Sequence, residues 1–278
     1  MRRDMTRYRP FRIDTVRVGW VRDGIATLLR DFSATFVVTD ESVRLAAGLD
    51  NFAARTEAVD AALRRLREQG HFAGWRNEAY AVATSFHDAP LMQMERAAAP
   101  AFGLLTHSVH VVGYRGTGEA MELWVARRSR TKAVGPGKLD LLANGGQPIG
   151  IGLRENLRKE CWEEAGVPTD LAQQARPASA VAYLFEDDRG LRDEIDFVFD
   201  LELPPDFMPR NVDGEVEEFF LWPAAHVCRL LAETDEFIDD AAMGSIDFLV
   251  RHGVIAPETP GYLEIVHGLR SRPNGLGS

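Results

Sequence analysis

The sequence predicts an α+β protein of two domains, the second built on a mixed β-sheet with helices packed against it. The length of 278 residues corresponds to about two domains of ordinary size. Runs rich in Val, Ile, Phe and Tyr alternate with helical patterns, which favours a mixture of strands and helices. An Ala- and Pro-rich stretch at 88–105 separates the two parts, so we expect one domain at 1–98 and the other at 99–278.

The N-terminal part is predicted to be the smaller α+β domain. Its clearest element is a helix at 52–69, which Asp50 and Asn51 can cap and Gly70 can end. Val59, Leu63 and Leu66 give this helix one apolar face. Strand-like segments with β-branched and aromatic residues lie at 11–22, 34–45 and 79–85.

The second part shows more strands, and their apolar patterns surround one amphipathic helix at 153–165. Further helices are predicted near 222–233, 237–252 and 260–270. The strands are predicted at 105–114, 121–128, 178–186, 194–202 and 215–221. Helices packed on a mixed sheet are the simplest arrangement of these elements.

Composition excludes several function classes. With 32 basic and 42 acidic residues the net charge is -10, which argues against nucleic acid or an anionic membrane as a partner. No apolar run reaches the roughly 18 residues of a spanning helix, and the start lacks the apolar stretch of a signal peptide. We therefore expect a cytoplasmic protein, or an organellar one if a transit peptide has been removed. The 2 cysteines indicate neither a disulfide framework nor a thiolate zinc site. The oligomeric state stays open, a homodimer included.

A glycine-rich loop containing Gly145 and Gly146 leads into the helix at 153–165, and Gly166 follows as a helix stop. At about 100° per residue, three carboxylates fall on one edge of that helix. They are Glu160, Glu163 and Glu164. Crowded like charges cost stability, so we expect a cation nearby, and hard divalent ions take carboxylate and phosphate oxygens. A solvated acidic face is the alternative interpretation.

Residues 159–167, KECWEEAGV, resemble the second half of the signature of Nudix hydrolases, with Lys159 where that family has arginine. The first half departs from the signature: the spacing from Gly146 to Lys159 is one residue short, and Ile151 replaces the usual loop glutamate. The resemblance implies a Nudix α/β/α sandwich and a metal-dependent pyrophosphatase acting on small-molecule diphosphates. It also implies that the three helix glutamates bind Mg²⁺ or Mn²⁺. Ile151 leaves the number of metal ions open.

Other parts of the chain resemble one branch of this family, the thiamine-pyrophosphokinase-related Nudix proteins, which carry an N-terminal domain of uncharacterised function. The matching stretches include 8–11, 74–78, 123–140, 213–216 and 260–263. For that branch the implied substrates are thiamine diphosphate and its damaged oxo or oxy analogues, cleaved to the monophosphate and phosphate. Hydrolysis of ADP-ribose or of dinucleotides is the alternative within the same chemistry.

Diphosphate hydrolysis requires cations on the phosphate oxygens. The strand at 121–128 ends in a basic run whose candidate phosphate ligands are Arg127, Arg128 and Lys132. Neighbouring strand residues point to opposite faces, so we expect only one of the two arginines to reach the site and favour Arg128 or Lys132. Gly145 and Gly146 are expected to let the backbone approach the metal or a phosphate closely.

The reaction also needs a group that accepts a proton from water. Glu215, which the branch shares, is the candidate for the general base or for an extra metal ligand; an exposed acidic turn is the alternative. We count Lys159, in the signature's arginine position, among the candidate catalytic residues together with the three helix glutamates.

Two different function classes compete with hydrolysis. Type I isopentenyl diphosphate isomerases share a similar stretch, here 128–129, Lys132 and 136–137, but they need a reactive cysteine near the glycine loop, where this chain has Ala143 and Asn144. A non-catalytic ligand sensor is the other alternative. The sequence contains no P-loop, dinucleotide-binding fingerprint or nucleophile elbow.

Overall fold

A computed structural model describes residues 5–270, so the ends of both predicted domains, 1–4 and 271–278, lie outside the described residues. In the N-terminal part the helices and strands are β1 (Tyr8–Ile13), β2 (Val16–Arg22), α1 (Asp23–Leu29), β3 (Phe36–Val38), β4 (Val43–Leu45), α2 (Phe52–Glu68), β5 (Ala79–Val82) and β6 (Met92–Glu95). A 3-10 helical segment, Arg96–Phe102, follows.

The N-terminal elements form a four-stranded sheet in the order β2-β1-β4-β3 and a separate β5-β6 hairpin. Rings of Phe11, Phe36 and Phe102 meet in the core, with Phe11 and Phe102 centroids 5.2 Å apart. The predicted helix at 52–69 is confirmed as α2. Asn51 caps its start as predicted, since its side-chain Oδ1 accepts a hydrogen bond from the Ala54 backbone N–H at 3.0 Å. This domain therefore has the predicted α+β character.

Three features of this part differ from the sequence prediction. The segment at 11–22 contains parts of two antiparallel strands, because Asp14 takes a positive φ of 53° and turns the chain, and the segment at 34–45 likewise contains the antiparallel strands β3 and β4. Helix α1 and strand β6 were not predicted, since both are short. Residues on both sides of the proposed 98/99 boundary pack in the same core, Ala98 with Ala99, so the position of that boundary stays a prediction.

The second part begins at the next strand and ends with helices. Its elements are β7 (Leu105–Arg115), β8 (Glu122–Arg128), β9 (Leu139–Asp140), β10 (Ala143–Gly146), α3 (Leu153–Ala165), α4 (Thr169–Ala172), β11 (Arg176–Asp187), β12 (Gly190–Glu202), β13 (Val216–Pro223), α5 (Ala224–Glu233), α6 (Asp239–Arg251) and α7 (Tyr262–Gly268). Each strand and helix predicted here has a counterpart, with bounds shifted by a few residues.

These strands form one mixed sheet in the order β11-β12-β7-β8-β13, with β10 on β7 and β9 on β8. The β12–β7 pair is parallel and the other pairs are antiparallel. Val109 and Val111 of β7 share a core with Leu157 of α3, whereas Val112 shares a core with Phe248 of α6. Helices thus cover both faces, which confirms the α/β sandwich.

Two strand pairings place the glycine loop. β10 pairs with β7 and sets Gly145 opposite Val109 and Gly146 opposite Ser108. The loop also meets the N-terminal domain, because the Ile149 amide donates to the Ala79 carbonyl at 2.9 Å. Across residues 5–270, no helix combines the length and the apolar character needed to cross a bilayer.

The contact between β12 and the 3-10 segment Arg96–Phe102 leaves no room for a side chain at Gly190. This residue has a φ of +144°, and a Cβ there would lie 2.1 Å from the Pro100 carbonyl oxygen. We expect Gly190→Ala to lower the free energy of unfolding by about 1–3 kcal/mol, measured by denaturant titration.

The matched control is Gly253→Ala. Gly253 also has a positive φ, +73°, but no described heavy atom lies within 4 Å of the position of its Cβ. This variant therefore reports the backbone strain alone. Equal losses of stability in the two variants would contradict the proposed clash.

Candidate active site

A cavity of about 500 Å³ lies between the two domains. From the second domain it is lined by the glycine loop, by one edge of α3 and by the loop that follows β8. From the N-terminal domain it is lined by residues of the segments 73–80 and 96–100. The candidate residues named from the sequence therefore face residues that the sequence analysis left without a role.

The three helix carboxylates all line this cavity, and each of them is paired with a lysine. The Lys159 Nζ lies 2.9 Å from Glu160 Oε1 and 3.2 Å from Glu163 Oε2. Lys132 Nζ lies 3.3 Å from Glu164 Oε1. The predicted compensating cation is thus supplied within residues 5–270 by two lysine side chains.

Glu164 is the most deeply placed of the three carboxylates. Its Oε2 accepts from the Asn144 amide at 2.9 Å. Burial raises the pKa of its carboxyl to about 8, an effect that Lys132 opposes and the charge of Asp140 reinforces. Burial also raises the pKa of Glu160, against the attraction of Lys159. Both carboxyls therefore bind a positive charge more favourably than exposed ones would.

The two loop glycines leave space for side chains from elsewhere. A Cβ on Gly145 would lie 2.2 Å from the Glu160 carboxyl carbon, and one on Gly146 would lie 1.7 Å from the Tyr80 hydroxyl. The close approach expected at these glycines is therefore made by Glu160 and by Tyr80 of the N-terminal domain. Contact of their backbone with a metal or a phosphate stays a prediction.

The three basic candidates have different surroundings. Lys132 lines the cavity and is bound to the candidate glutamates. Arg128 also lines it, but its guanidinium is bound to Asp140 and to the Val134 carbonyl, which holds the loop after β8 in place.

Arg127 points the other way, as expected from strand alternation. It donates to the Gly137 carbonyl at 3.0 Å and lies over the ring of Phe220, and it is not among the residues that line the cavity. This position argues against its proposed phosphate contact. Arg128 and Lys132 are therefore the candidates of this run that line the cavity, and we favour Lys132 because the Arg128 guanidinium is held by Asp140 and Val134.

Glu215 lines the cavity between two cations. Its Oε1 lies 3.2 Å from Arg76 Nη2, and its Oε2 is hydrogen-bonded to Lys132. Burial alone would raise its pKa, but the bonds to Lys132 and Arg76 outweigh this and lower it. A carboxylate with a lowered pKa is a weak proton acceptor. The arrangement therefore favours a positioning role for Glu215 over that of a general base.

Four cavity residues from the N-terminal domain were missed from the sequence: Arg76, Glu78, Tyr80 and Arg96. Arg96 pairs with Glu78 and lies over the ring of Tyr80. Arg76 and Glu78 lie within the 74–78 stretch that resembles the thiamine-related branch, and Tyr80 lies two residues beyond it. This resemblance was the signal that could have identified them. Their role was not predictable because it depends on how the two domains pack.

A second polar group lines the cavity near β7, β12 and α6. Arg192 pairs with Glu194 at 2.5 Å and lies 4.0 Å from Asp240. Behind them, His110 Nε2 lies 3.5 Å from Asp196 Oδ2, and both side chains are buried. This part of the wall carries two carboxylates, Glu194 and Asp240, and two arginines, Arg189 and Arg192, so its charges balance. The sequence analysis did not identify it.

The donor set suits Mg²⁺ or Mn²⁺, because three carboxylates on one helix offer hard oxygen ligands. However, within residues 5–270 no three Asp, Glu, His or Cys side chains are arranged as a ready metal cluster. Each glutamate is instead bound to a lysine. A divalent ion fits here once Lys159 and Lys132 give up these carboxylates.

Comparison with known proteins identifies the family. Over 264 residues the chain is 42% identical to "Nudix hydrolase 24, chloroplastic" of Arabidopsis thaliana, covering 94% of this chain and 72% of that protein. It is 40% identical over 272 residues to "Nudix hydrolase 20, chloroplastic" of the same plant, covering 95% and 73%. Residues 1–106 match a family described as a domain of unknown function (DUF4743).

Among solved structures, DR0079 from Deinococcus radiodurans aligns with a TM-score of 0.44 at 22% identity, covering 58% of this chain and 93% of that chain. The two plant relatives confirm the family that residues 159–167 indicated, and with it the expectation of an enzyme. Given this identity over 94% and 95% of its length, the chain belongs to the Nudix hydrolase family.

Proposed function

We propose that this Nudix enzyme is a Mg²⁺- or Mn²⁺-dependent diphosphatase whose metal ligands are Glu160, Glu163 and Glu164. The observation that carries the proposal is the convergence of these three carboxylates and two lysines on one interdomain cavity. When bound, the divalent ion would supply positive charge to the phosphate oxygens and increase the acidity of water.

Side chains of the protein would bind the phosphate and position the other groups. Lys132 is placed to bind a phosphoryl oxygen when it leaves Glu164. Lys159 would hold Glu160 and Glu163, both of which it contacts, in position until the metal ion replaces it. Glu215 would hold Lys132 at the cavity wall. Closure of the cavity by the N-terminal domain would keep bulk water from the reacting group.

We further propose thiamine diphosphate and its oxo or oxy analogues as substrates. The resemblance to the thiamine-related branch supports this. Glu194 and Asp240 face the same cavity as the phosphate-binding cations, with Arg192 between them. Either carboxylate, once released from Arg192, would favour a ligand with a positively charged ring, and thiamine diphosphate carries a cationic thiazolium.

Removal of one ligand charge tests the metal site. We expect Glu164→Gln to lower kcat/KM by about 100-fold, because the amide keeps the shape but loses the charge. The control is Glu155→Gln, on the exposed first turn of the same helix. Retention of wild-type turnover by Glu164→Gln would reject the assignment of this site.

Proton release on metal binding tests the raised pKa of Glu164. With a pKa of about 8, this carboxyl is largely protonated at pH 7, so Mg²⁺ must displace a proton to bind it. Deprotonation of Glu164 favours metal binding, so the affinity for Mg²⁺ should rise with pH until about pH 8 and then level off. Calorimetry in two buffers of different ionisation enthalpy measures the released proton.

The Glu155→Gln variant should release protons as the wild type does, whereas Glu164→Gln should release fewer. Heats that are the same in both buffers, together with an affinity independent of pH, would contradict this assignment.

A substrate panel separates the proposed activities. We expect phosphate and thiamine monophosphate as products, with kcat/KM for thiamine diphosphate or its analogues about 10-fold or more above that for ADP-ribose or NADH. A preference for ADP-ribose or NADH would favour the dinucleotide alternative. Allylic isomer formation from isopentenyl diphosphate, or binding without turnover, would favour the isomerase or the sensor.

A further inference from the structure

The segment 72–78 of the N-terminal domain forms part of the cavity wall and has an unusual backbone. Phe72, Gly74 and Asn77 all adopt positive φ values, 58°, 80° and 57°. Two of these residues are not glycine, and such conformations persist only where the surroundings hold them. The contacts of this segment show what holds it.

Buried and aromatic groups fix the backbone around Arg76. The buried Glu95 carboxylate accepts from the Arg76 amide at 3.0 Å. The Trp75 indole donates to the Asn77 side chain at 2.9 Å. Arg67 lies over the ring of Trp75, 5.1 Å from its centroid. A side chain on a backbone held in this way loses little freedom when it binds a ligand.

The Arg76 side chain itself is lightly engaged. It is 55% exposed and lies 3.2 Å from Glu215. An arginine has five N–H donors, and within residues 5–270 the hydrogen bond to Glu215 is the one that the Arg76 guanidinium makes. By contrast, the Arg128 side chain is 10% exposed and its guanidinium makes three hydrogen bonds. Arg76 therefore keeps donors for a ligand.

Arg76 also lies beside the candidate phosphate-binding lysine. Arg76 and Lys132 contact different oxygens of the same Glu215 carboxylate. The two cations come from different domains, yet one carboxylate holds them next to each other. The guanidinium fork matches the geometry of a phosphate group, and a phosphoryl group carries more negative charge than one carboxylate.

We infer that Arg76 is a substrate-binding residue, which binds a phosphoryl group of the diphosphate together with Lys132. The N-terminal domain thereby completes the active site of the second domain. This inference rests on the proposed diphosphatase function. It gives the N-terminal domain a function in substrate binding, with Glu215 as the positioning residue that aligns the two cations before the substrate arrives.

The test compares Arg76→Ala and Arg76→Lys with Arg30→Ala in the full chain. Arg30 is a matched control, because it lies in the same domain, is 51% exposed and is 3.6 Å from Asp40. The measurements are kcat and KM for the best diphosphate of the panel, calorimetric affinity for inorganic pyrophosphate with Mg²⁺, and thermal unfolding.

We expect Arg76→Ala to raise KM and weaken pyrophosphate binding by about 10-fold or more, the effect of losing a charged hydrogen bond. Arg76→Lys should recover part of this loss, and Arg30→Ala should behave as the wild type. Unchanged KM and unchanged pyrophosphate affinity in Arg76→Ala would overturn the inference, even if its unfolding temperature falls.

The outcomes separate this inference from the proposed function. A wild type that binds pyrophosphate through Arg76 but hydrolyses no diphosphate retains the inference and rejects the diphosphatase. If the wild type hydrolyses diphosphates and Arg76→Ala has the same KM and pyrophosphate affinity, the diphosphatase is retained and the inference about Arg76 is rejected. If Arg76→Ala does not fold, Arg76→Lys and Arg76→Gln carry the comparison, and equal KM values in these two variants and the wild type overturn the inference.

Discussion

The site depends on the pairing of buried carboxylates with lysines at one edge of α3. Glu164 is buried and the Glu160 side chain is 12% exposed, so each needs a nearby positive charge or a proton, and Lys159 and Lys132 lie beside them. In residues 5–270 these carboxylates do not form a ready metal cluster. In the proposed metal site, a divalent ion would displace the lysine ammonium groups and the proton of Glu164, which would couple the position of Lys132 to the state of the site.

The packing of the two domains depends on the same site. Glu160 fills the space left by Gly145, and Tyr80 fills the space left by Gly146, so one glycine pair serves both the second domain and the N-terminal domain. Glu215 holds Lys132 from one domain and Arg76 from the other. The cavity therefore exists only where the two domains pack together, and residues of both line it.

The second domain was the easier part to predict from the sequence. Periodic apolar residues and Gly166 gave the bounds of α3, and helical geometry placed the three glutamates on one edge, because both depend on local structure. The orientations of Arg127, Arg128 and Glu215 could not be predicted from local sequence, because other segments of the chain supply their partners. These partners are Phe220 for Arg127, Asp140 for Arg128 and Arg76 for Glu215. The whole N-terminal wall of the cavity was missed for the same reason.

The most direct test of this account is a crystal structure of the enzyme grown with Mn²⁺, in which the anomalous signal locates the metal. The account predicts manganese bound to oxygens of Glu160, Glu163 and Glu164, with the Lys159 and Lys132 ammonium groups moved away from these carboxylates. Manganese bound elsewhere, or a fully occupied metal site with both lysines still on the glutamates, would contradict it.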